Sequence, residues 1–398
     1  MENPLLALEV QEYINDHLDK NNKDLAFKKS PFQHIEMSDL LMQIEAKQKC
    51  IDKLPTWYNS PNILYPAKLS IEQTSSEVCA KYKANLVFGE SLIDLTGGFG
   101  VDCLYFAKHI KQVVHCEMQS YLSHMVAHNY NQLGVKNITT HCGDSLVYIA
   151  EQKKQWDWIY VDPARRNQSK EKVFFLSDCL PNVPEHLELL FSHTNNVLIK
   201  TSPLLDIHAG LNELKHVSAI HIIALNNEVK ELLWVLKKGS IASVELTAVN
   251  IHHNQISTFK TTLDQSCEPV YALPKKFLYE PNSAVLKTGK FDCICPYYKI
   301  EKLHQHSQLY TSDNLIENFS GRSFEIQEVI PYNKANAKLY LTNTKANVTT
   351  RNFPIKVEEL RKKWKIKDGG EQYLFFTTLN NQEKVFIKCL KTKIETKI

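Results

Sequence analysis

Three glycines within four positions, Gly97, Gly98 and Gly100, constrain this chain more than any other stretch. Only 12 glycines occur in 398 residues, so the cluster is a local requirement. Before it, residues 91–96 form a short apolar run broken by Asp94, which reads as a buried strand. After it, residues 101–109 read as a helix. A glycine turn between strand and helix lets the backbone bend sharply and lets a ligand approach the main chain. Alone the turn is a weak signal, because dinucleotide enzymes use one as well.

Beyond the turn the pattern alternates. Strands are predicted at 91–96, 112–117, 137–142, 156–162, 195–200, 217–223 and 230–236, with helical stretches between the first five. Such alternation predicts an α/β fold with a mostly parallel sheet. The last two runs, joined through Asn226 and Asn227, read as an antiparallel return at the edge. Ligands of such sheets bind at the carboxyl ends of the strands.

The rest of the chain divides around this core. Residues 1–66 read as a small helical domain, and 67–239 as the α/β domain. A helix is predicted over 70–86, with Ser70 as its N-cap. Trp57 and Tyr58 are read chiefly as packing against the next domain, with base stacking as the other possibility. Residues 240–320 form a connecting region with a proline-rich middle, and 321–398 read as α+β. In that last segment, 337–341 is predicted as a strand and 357–364 as a helix. From residue 331 onward fifteen Lys/Arg stand against six Asp/Glu, a basic excess of the kind that follows nucleic-acid phosphates.

Composition excludes some classes. An apolar content of 43% and a charged content of 23% describe an ordinary globular protein. No apolar run approaches the roughly 18 residues of a membrane span. The first residues lack a basic segment followed by an apolar core, so no secretory signal and a cytoplasmic location are expected. Ten scattered cysteines read as reduced core thiols, and no metal site is expected.

The strand ends carry the chemistry. Asp94, Thr96 and the glycines end the first strand. Glu117 ends the second, placed for two ribose hydroxyls. Asp144 follows the third and can take an exocyclic amino group. Asp162, Pro163, Ala164, Arg165 and Arg166 follow the fourth, and Lys200 ends the fifth. In combination these endings point to an adenosine-containing ligand that needs no phosphate site.

The set resembles class I S-adenosylmethionine-dependent methyltransferases over roughly 70–238. Asp94, Thr96, Gly97, Gly98 and Gly100 look like the first motif of that fold, Glu117 like its ribose acid and Asp144 like its adenine contact. The resemblance implies a Rossmann-like seven-stranded sheet with a reversed last strand and S-adenosyl-L-methionine as cofactor. A nicotinamide enzyme would usually have glycine three positions past Gly100, where this chain has Cys103. More narrowly, the stretches 69–77, 161–166, 199–206 and 319–324 are similar to a bacterial family of RNA methyltransferases with a THUMP-like C-terminal domain. That likeness implies a ferredoxin-like insert near 280–320, a THUMP-like domain over 321–398, and tRNA or rRNA as partner. Ser75, Ser76 and Glu77 are similar to the segment preceding the first motif in trimethylguanosine synthases, which makes Glu77 a candidate cofactor residue.

For an exocyclic base nitrogen, Asp162 and the Pro163 carbonyl would accept its N–H groups. The stacking aromatic usual at that motif is absent, since Ala164 and Arg165 follow. Arg165 or Arg166 could stack on the base or hold a phosphate. Carbon-5 pyrimidine chemistry would need a thiolate after the fifth strand, and none follows Lys200. His115, His124 and His128 read as structural. Lys362 and Lys363, beside Trp364, are the candidate RNA-docking residues, with Arg166 and Lys200 as further substrate contacts. A protein or small-molecule methyltransferase, or a non-catalytic RNA-binding protein, are the other readings.

Overall fold

The computed structural model describes residues 3–20, 22–165, 175–253 and 255–392. The chain forms two compact units, Met1–Ser218 with Leu232–Ala242, and Ala219–Glu231 with Ser243–Ile398.

In the first unit, helices α1 (Leu8–Asp16), α2 (Asn22–Leu25), α3 (Met37–Lys53), α4 (Pro55–Asn59), α5 (Lys68–Gln73) and α6 (Glu77–Ala84) precede the sheet. The predicted helix over 70–86 is therefore two helices. The break has a local cause: Ser76 adopts an extended backbone and its hydroxyl accepts from the Cys79 N–H, so Ser76 and not Ser70 is the N-cap that matters. There follow β1 (Ser91–Asp94), α7 (Val101–Phe106), β2 (Gln112–Glu117), α8 (Ser120–Gln132), β3 (Ile138–Cys142), α9 (Ser145–Glu151) and β4 (Trp158–Val161). Next are β5 (Ala164–Arg165), β6 (Cys179–Leu180), α10 (Val183–His193), β7 (Asn196–Thr201), α11 (Ile207–Glu213), β8 (Val217–Leu225) and β9 (Glu228–Lys237).

Six strands here run in the order β3-β2-β1-β4-β7-β9. Neighbours are parallel from β3 to β7, and β9 is antiparallel to β7. β1 and β4 are buried along their whole length, as central strands covered on both faces must be. The β8–β9 turn has Asn226 and Asn227 at φ 52° and 66°, the left-handed pair that a tight two-residue hairpin needs.

The helices ahead of β1 are tied to the sheet domain by two buried carboxamides. The Asn129 side chain on α8 accepts from the Leu64 N–H at 3.0 Å and donates to the Leu64 carbonyl at 2.8 Å. The Gln43 side chain on α3 does the same for Tyr65, at 2.9 and 2.7 Å. Each amide completes one residue of buried backbone that has no strand partner. Trp57 is fully buried and lies against Phe99, which settles its role as packing.

The second unit adds β10 (Glu245–His252) and β11 (Gln255–Thr262), with β10 parallel to β8. With β8 beside β9 the seven expected strands are present, and β10 and β11 extend the sheet to nine. Then come β12 (Phe277–Pro281), α12 (Ser283–Lys287), α13 (Ile294–Tyr298), β13 (Glu301–Lys302), β14 (Tyr310–Ser312), β15 (Gly321–Pro331), α14 (Lys334–Leu341), β16 (Asn347–Arg351), α15 (Val357–Trp364), β17 (Gln372–Thr378) and β18 (Lys384–Lys391). They make a seven-stranded sheet ordered β13-β14-β12-β15-β18-β17-β16. Residues 337–341, predicted as a strand, are helical: Asn333 caps the Asn336 N–H, and Ala337 and Leu341 are buried four residues apart while Leu339 is exposed. Cys267 and Cys293 are joined by a disulfide, with Cα atoms 5.0 Å apart, which corrects the expectation that all ten cysteines are thiols. Their 26-residue separation hid the proximity. Among the described residues no helix is long and apolar enough to cross a membrane.

Asn129→Ala should leave the Leu64 N–H and carbonyl buried without partners. A loss of about 2–4 kcal/mol is expected, read as a lower denaturation midpoint with unchanged slope.

Candidate active site at the strand ends

The glycine turn is shaped by what lies beneath it. A Cβ on Gly97 would sit 2.3 Å from the His115 ring, and one on Gly100 2.3 Å from the Tyr130 hydroxyl, where φ is also +80°. A Cβ on Gly98, at φ +53°, would meet only the Thr96 carbonyl oxygen, at 3.8 Å. Phe99 points down onto Trp57 and Tyr65, with ring centroids 6.0 and 6.3 Å away. The turn is therefore packed below and open at Gly98.

Side chains at the ends of the parallel strands are wired together. One Asp94 oxygen accepts from the Thr96 N–H at 2.9 Å and the Thr96 hydroxyl at 3.2 Å. The other accepts from the Cys103 thiol at 3.2 Å. Thr96 Oγ1 in turn accepts from the Asp162 N–H at 2.6 Å, which joins the β1 end to the β4 end. Glu117 accepts from the Gly98 N–H at 3.1 Å and the Gln119 N–H at 2.8 Å, which joins the turn to the β2 end. Asp144 is exposed and caps α9, accepting from the Leu146 N–H at 2.8 Å. Asp162 pairs with Lys200 at 2.6 Å, with both side chains partly buried.

A second layer supports this one. Lys83 is completely buried and reaches both oxygens of Asp102, at 2.8 and 3.0 Å, and Ser75 Oγ at 2.6 Å. The Tyr160 hydroxyl also donates to Asp102, at 2.8 Å. Burial by itself raises the Asp102 carboxyl, but Lys83 and Lys200 and these hydrogen bonds hold it below its ordinary value. Removing one partner of such a pair strands a buried charge and typically costs about 3–5 kcal/mol.

Asp94, Thr96, the three glycines, Glu117 and Asp162 are thus brought together. Glu77 is committed elsewhere: it is buried, accepts from the Thr56 N–H at 2.5 Å and hydroxyl at 2.8 Å, and takes the Tyr105 hydroxyl. Lys200 lies at the site but is engaged by Asp162. Pro163 is buried, and Ala164 and Arg165 lie in β5, whose backbone pairs with β6. Arg166 lies outside the described residues. His115 is fully buried with Nε2 3.2 Å from the Gly98 carbonyl, and burial lowers it to about 4. Sequence reasoning misses Met118. It follows Glu117 and is 70% exposed, and an apolar residue next to a strand-end acid was the available signal.

Residues 321–391 match a THUMP domain-like family and residues 277–319 a ferredoxin-like domain family. The crystal structure of a candidate methyltransferase from Porphyromonas gingivalis W83 superposes with a TM-score of 0.88 at 28% identity, covering 99% of this chain and 100% of that one. The chain is thus similar over its full length to a candidate methyltransferase, and its C-terminal segment matches a THUMP domain-like family. An rRNA methylase from Streptococcus thermophilus aligns at 14% identity over 42% of this chain and 98% of its own, with a TM-score of 0.30. A candidate methyltransferase from Streptococcus mutans in complex with SAH aligns at 14% identity over 40% of this chain and 96% of its own, also at 0.30. No curated protein matches the chain.

The THUMP-like segment carries the basic residues singled out in the sequence. Lys362, Lys363, Lys365 and Lys367 are exposed. Lys363 lies 5.3 Å from the Trp364 ring centroid, and Trp364 packs into the core below. Among the described residues no group of His, Cys, Asp and Glu is placed to hold a metal ion.

Burial, with Asp102 and Asp162 nearby, pushes the Asp94 carboxyl from 3.8 up to about 7, against the pull of the Thr96 and Cys103 hydrogen bonds. A raised folded value means that its stabilising contribution is full below pH 3.8 and lost as pH rises to about 7. His115 acts oppositely, losing its contribution as pH falls from 6.5 to about 4. Subtracting Asp94→Asn from wild type cancels His115. The stability difference should shrink steadily from about pH 4 to about pH 7 and then level off. A difference independent of pH would show that Asp94 does not titrate in this range.

Proposed function

We propose that the chain is an S-adenosyl-L-methionine-dependent methyltransferase acting on a base nitrogen of structured RNA. The observation that carries the cofactor reading is the Gly98–Glu117 hydrogen bond, which sets an open glycine turn beside a strand-end carboxylate. The donor set fits the group. Glu117 retains lone pairs for a ribose diol, Asp144 faces solvent with one oxygen beyond its capping role, and exposed Met118 and Val147 offer apolar surface for a purine. The bound cofactor would supply an electrophilic methyl on its sulfonium.

The protein's own work is alignment and exclusion of water. Lys200 and the Thr96 hydroxyl anchor Asp162 from its Oδ2 and its N–H, so the other carboxylate oxygen is held in a fixed direction. That oxygen and the Pro163 carbonyl would accept the N–H groups of the target amine and receive its developing positive charge. Arg165 and Arg166 follow this motif as the proposed contacts to base or phosphate. The THUMP-like match and the exposed lysines of α15 support RNA as the partner, with Lys362 and Lys363 as docking residues. We assign the same organisation of 1–66, 67–239, 240–320 and 321–398 to these roles, in the cytoplasm. A protein or small-molecule substrate is the second reading, favoured if removing 321–398 leaves activity intact.

Incubation with methyl-labelled cofactor and total RNA should label RNA, and label found only in protein or metabolites would reject the RNA claim. Asp162→Ala should abolish transfer, a loss of at least about 100-fold, while cofactor affinity measured by calorimetry stays near wild type. Neutralising Lys362 and Lys363 should reduce the salt slope of RNA binding by about 0.7–0.9 for each RNA phosphate that these side chains neutralise in the wild-type complex.

A further inference from the structure

Arginine is scarce in this chain. Of 47 basic side chains only five are arginines: Arg165, Arg166, Arg322, Arg351 and Arg361. Two of the five meet at one carboxylate in the second unit. Arg322, on β15, gives its Nε to Glu280 Oε2 at 2.9 Å and its Nη2 to the same oxygen. Arg351, at the end of β16, gives Nε and Nη2 to Glu280 Oε1 at 3.2 and 2.9 Å. β15, β18 and β17 separate β16 from β12 in the sheet order, so the sheet curls to bring them together. Gly321 permits the approach, since a Cβ there would lie 2.1 Å from the Glu280 carbonyl.

Holding the sheet closed needs less than this. Glu280 is buried, at 5% side-chain exposure, and one cation would neutralise it. Arg361 shows the simpler arrangement, with the single carboxylate of Asp368 at 2.5 Å. At Glu280 two cations share one anion, which leaves one positive charge in excess. Both arginines use the same edge, Nε with Nη2. The opposite edge of each, Nη1 with the second N–H of Nη2, makes no hydrogen bond among the described residues. The side chains are 40% and 36% exposed. That unused edge is a planar pair of parallel donors, the geometry that binds a phosphate in two-point fashion and that lysine cannot copy. Phe324 and Tyr373 lie under the Arg322 guanidinium at 5.4 and 5.9 Å and fix its plane.

We propose that Arg322 and Arg351, aligned on Glu280, form a phosphate seat for one backbone phosphate of RNA, separate from the lysines of α15. The source of the phosphate rests on the RNA reading above, whereas the seat itself rests only on this geometry.

Phenylglyoxal attacks the same free guanidinium edge, so it tests the wild-type protein directly. Peptide mass spectrometry should show Arg322 and Arg351 modified, and inorganic phosphate or a short RNA hairpin should slow both. In the double variant R322K/R351K charge is kept and the fork is lost. Its melting temperature should stay close to wild type, and hairpin affinity should fall about 10-fold. Wild type that binds the hairpin with neither arginine protected, or a folded double variant that binds it equally well, overturns the seat and leaves the RNA reading standing. Protection by phosphate without hairpin binding keeps the seat and rejects the RNA reading. Protection by neither, with no hairpin binding, rejects both.

Discussion

The Thr96 hydroxyl is the point on which the candidate site depends. It donates to Asp94 and accepts from the Asp162 N–H, so one oxygen fixes the ends of two adjacent parallel strands. Without it the β4 end would lose this side-chain tie to the β1 end, and the proposed target-facing carboxylate would be less firmly placed relative to the glycine turn. Glu117 performs the matching service on the other side of β1, through Gly98. A sheet supplies parallel strands at fixed spacing; these few polar contacts turn that spacing into a defined arrangement of functional groups.

Beneath it, the Lys83–Asp102–Ser75–Tyr160 cluster explains the polar stretch ahead of β1. Ser75 and Glu77 face buried partners, Ser75 the ion pair and Glu77 the start of α4 with Tyr105. The segment supports the turn. A buried ion pair tied in by these hydrogen bonds is costly to break and so favours a single arrangement of α6 against α7.

Much of this was legible in the sequence. The run 112–117 and the helix 357–364 are observed with the same bounds, because buried parallel strands and amphipathic helices leave their period in the residue order. The placement of the acids and the glycine turn at the strand ends could also be read, since it follows from position along the chain. What escaped depends on contacts between distant residues. Glu77 meets Thr56 and Tyr105, Lys200 meets Asp162, and Cys267 meets Cys293, and no local pattern announces these pairs. The helix at 334–341 misled for a different reason: Ala337, Leu339 and Leu341 are apolar at spacing two, but only the pair four apart is buried.

The two carboxamides that clasp Leu64 and Tyr65 have a consequence for how this architecture can change. Gln43 belongs to the leading helices and Asn129 to the sheet domain, and both grip adjacent residues of one extended segment whose Tyr65 ring, with Trp57, forms the floor of the glycine bend. A drift in the leading helices is thereby passed to the bend through two rigid amides. The N-terminal region is the foundation of the glycine bend, and the two are bound to vary as one.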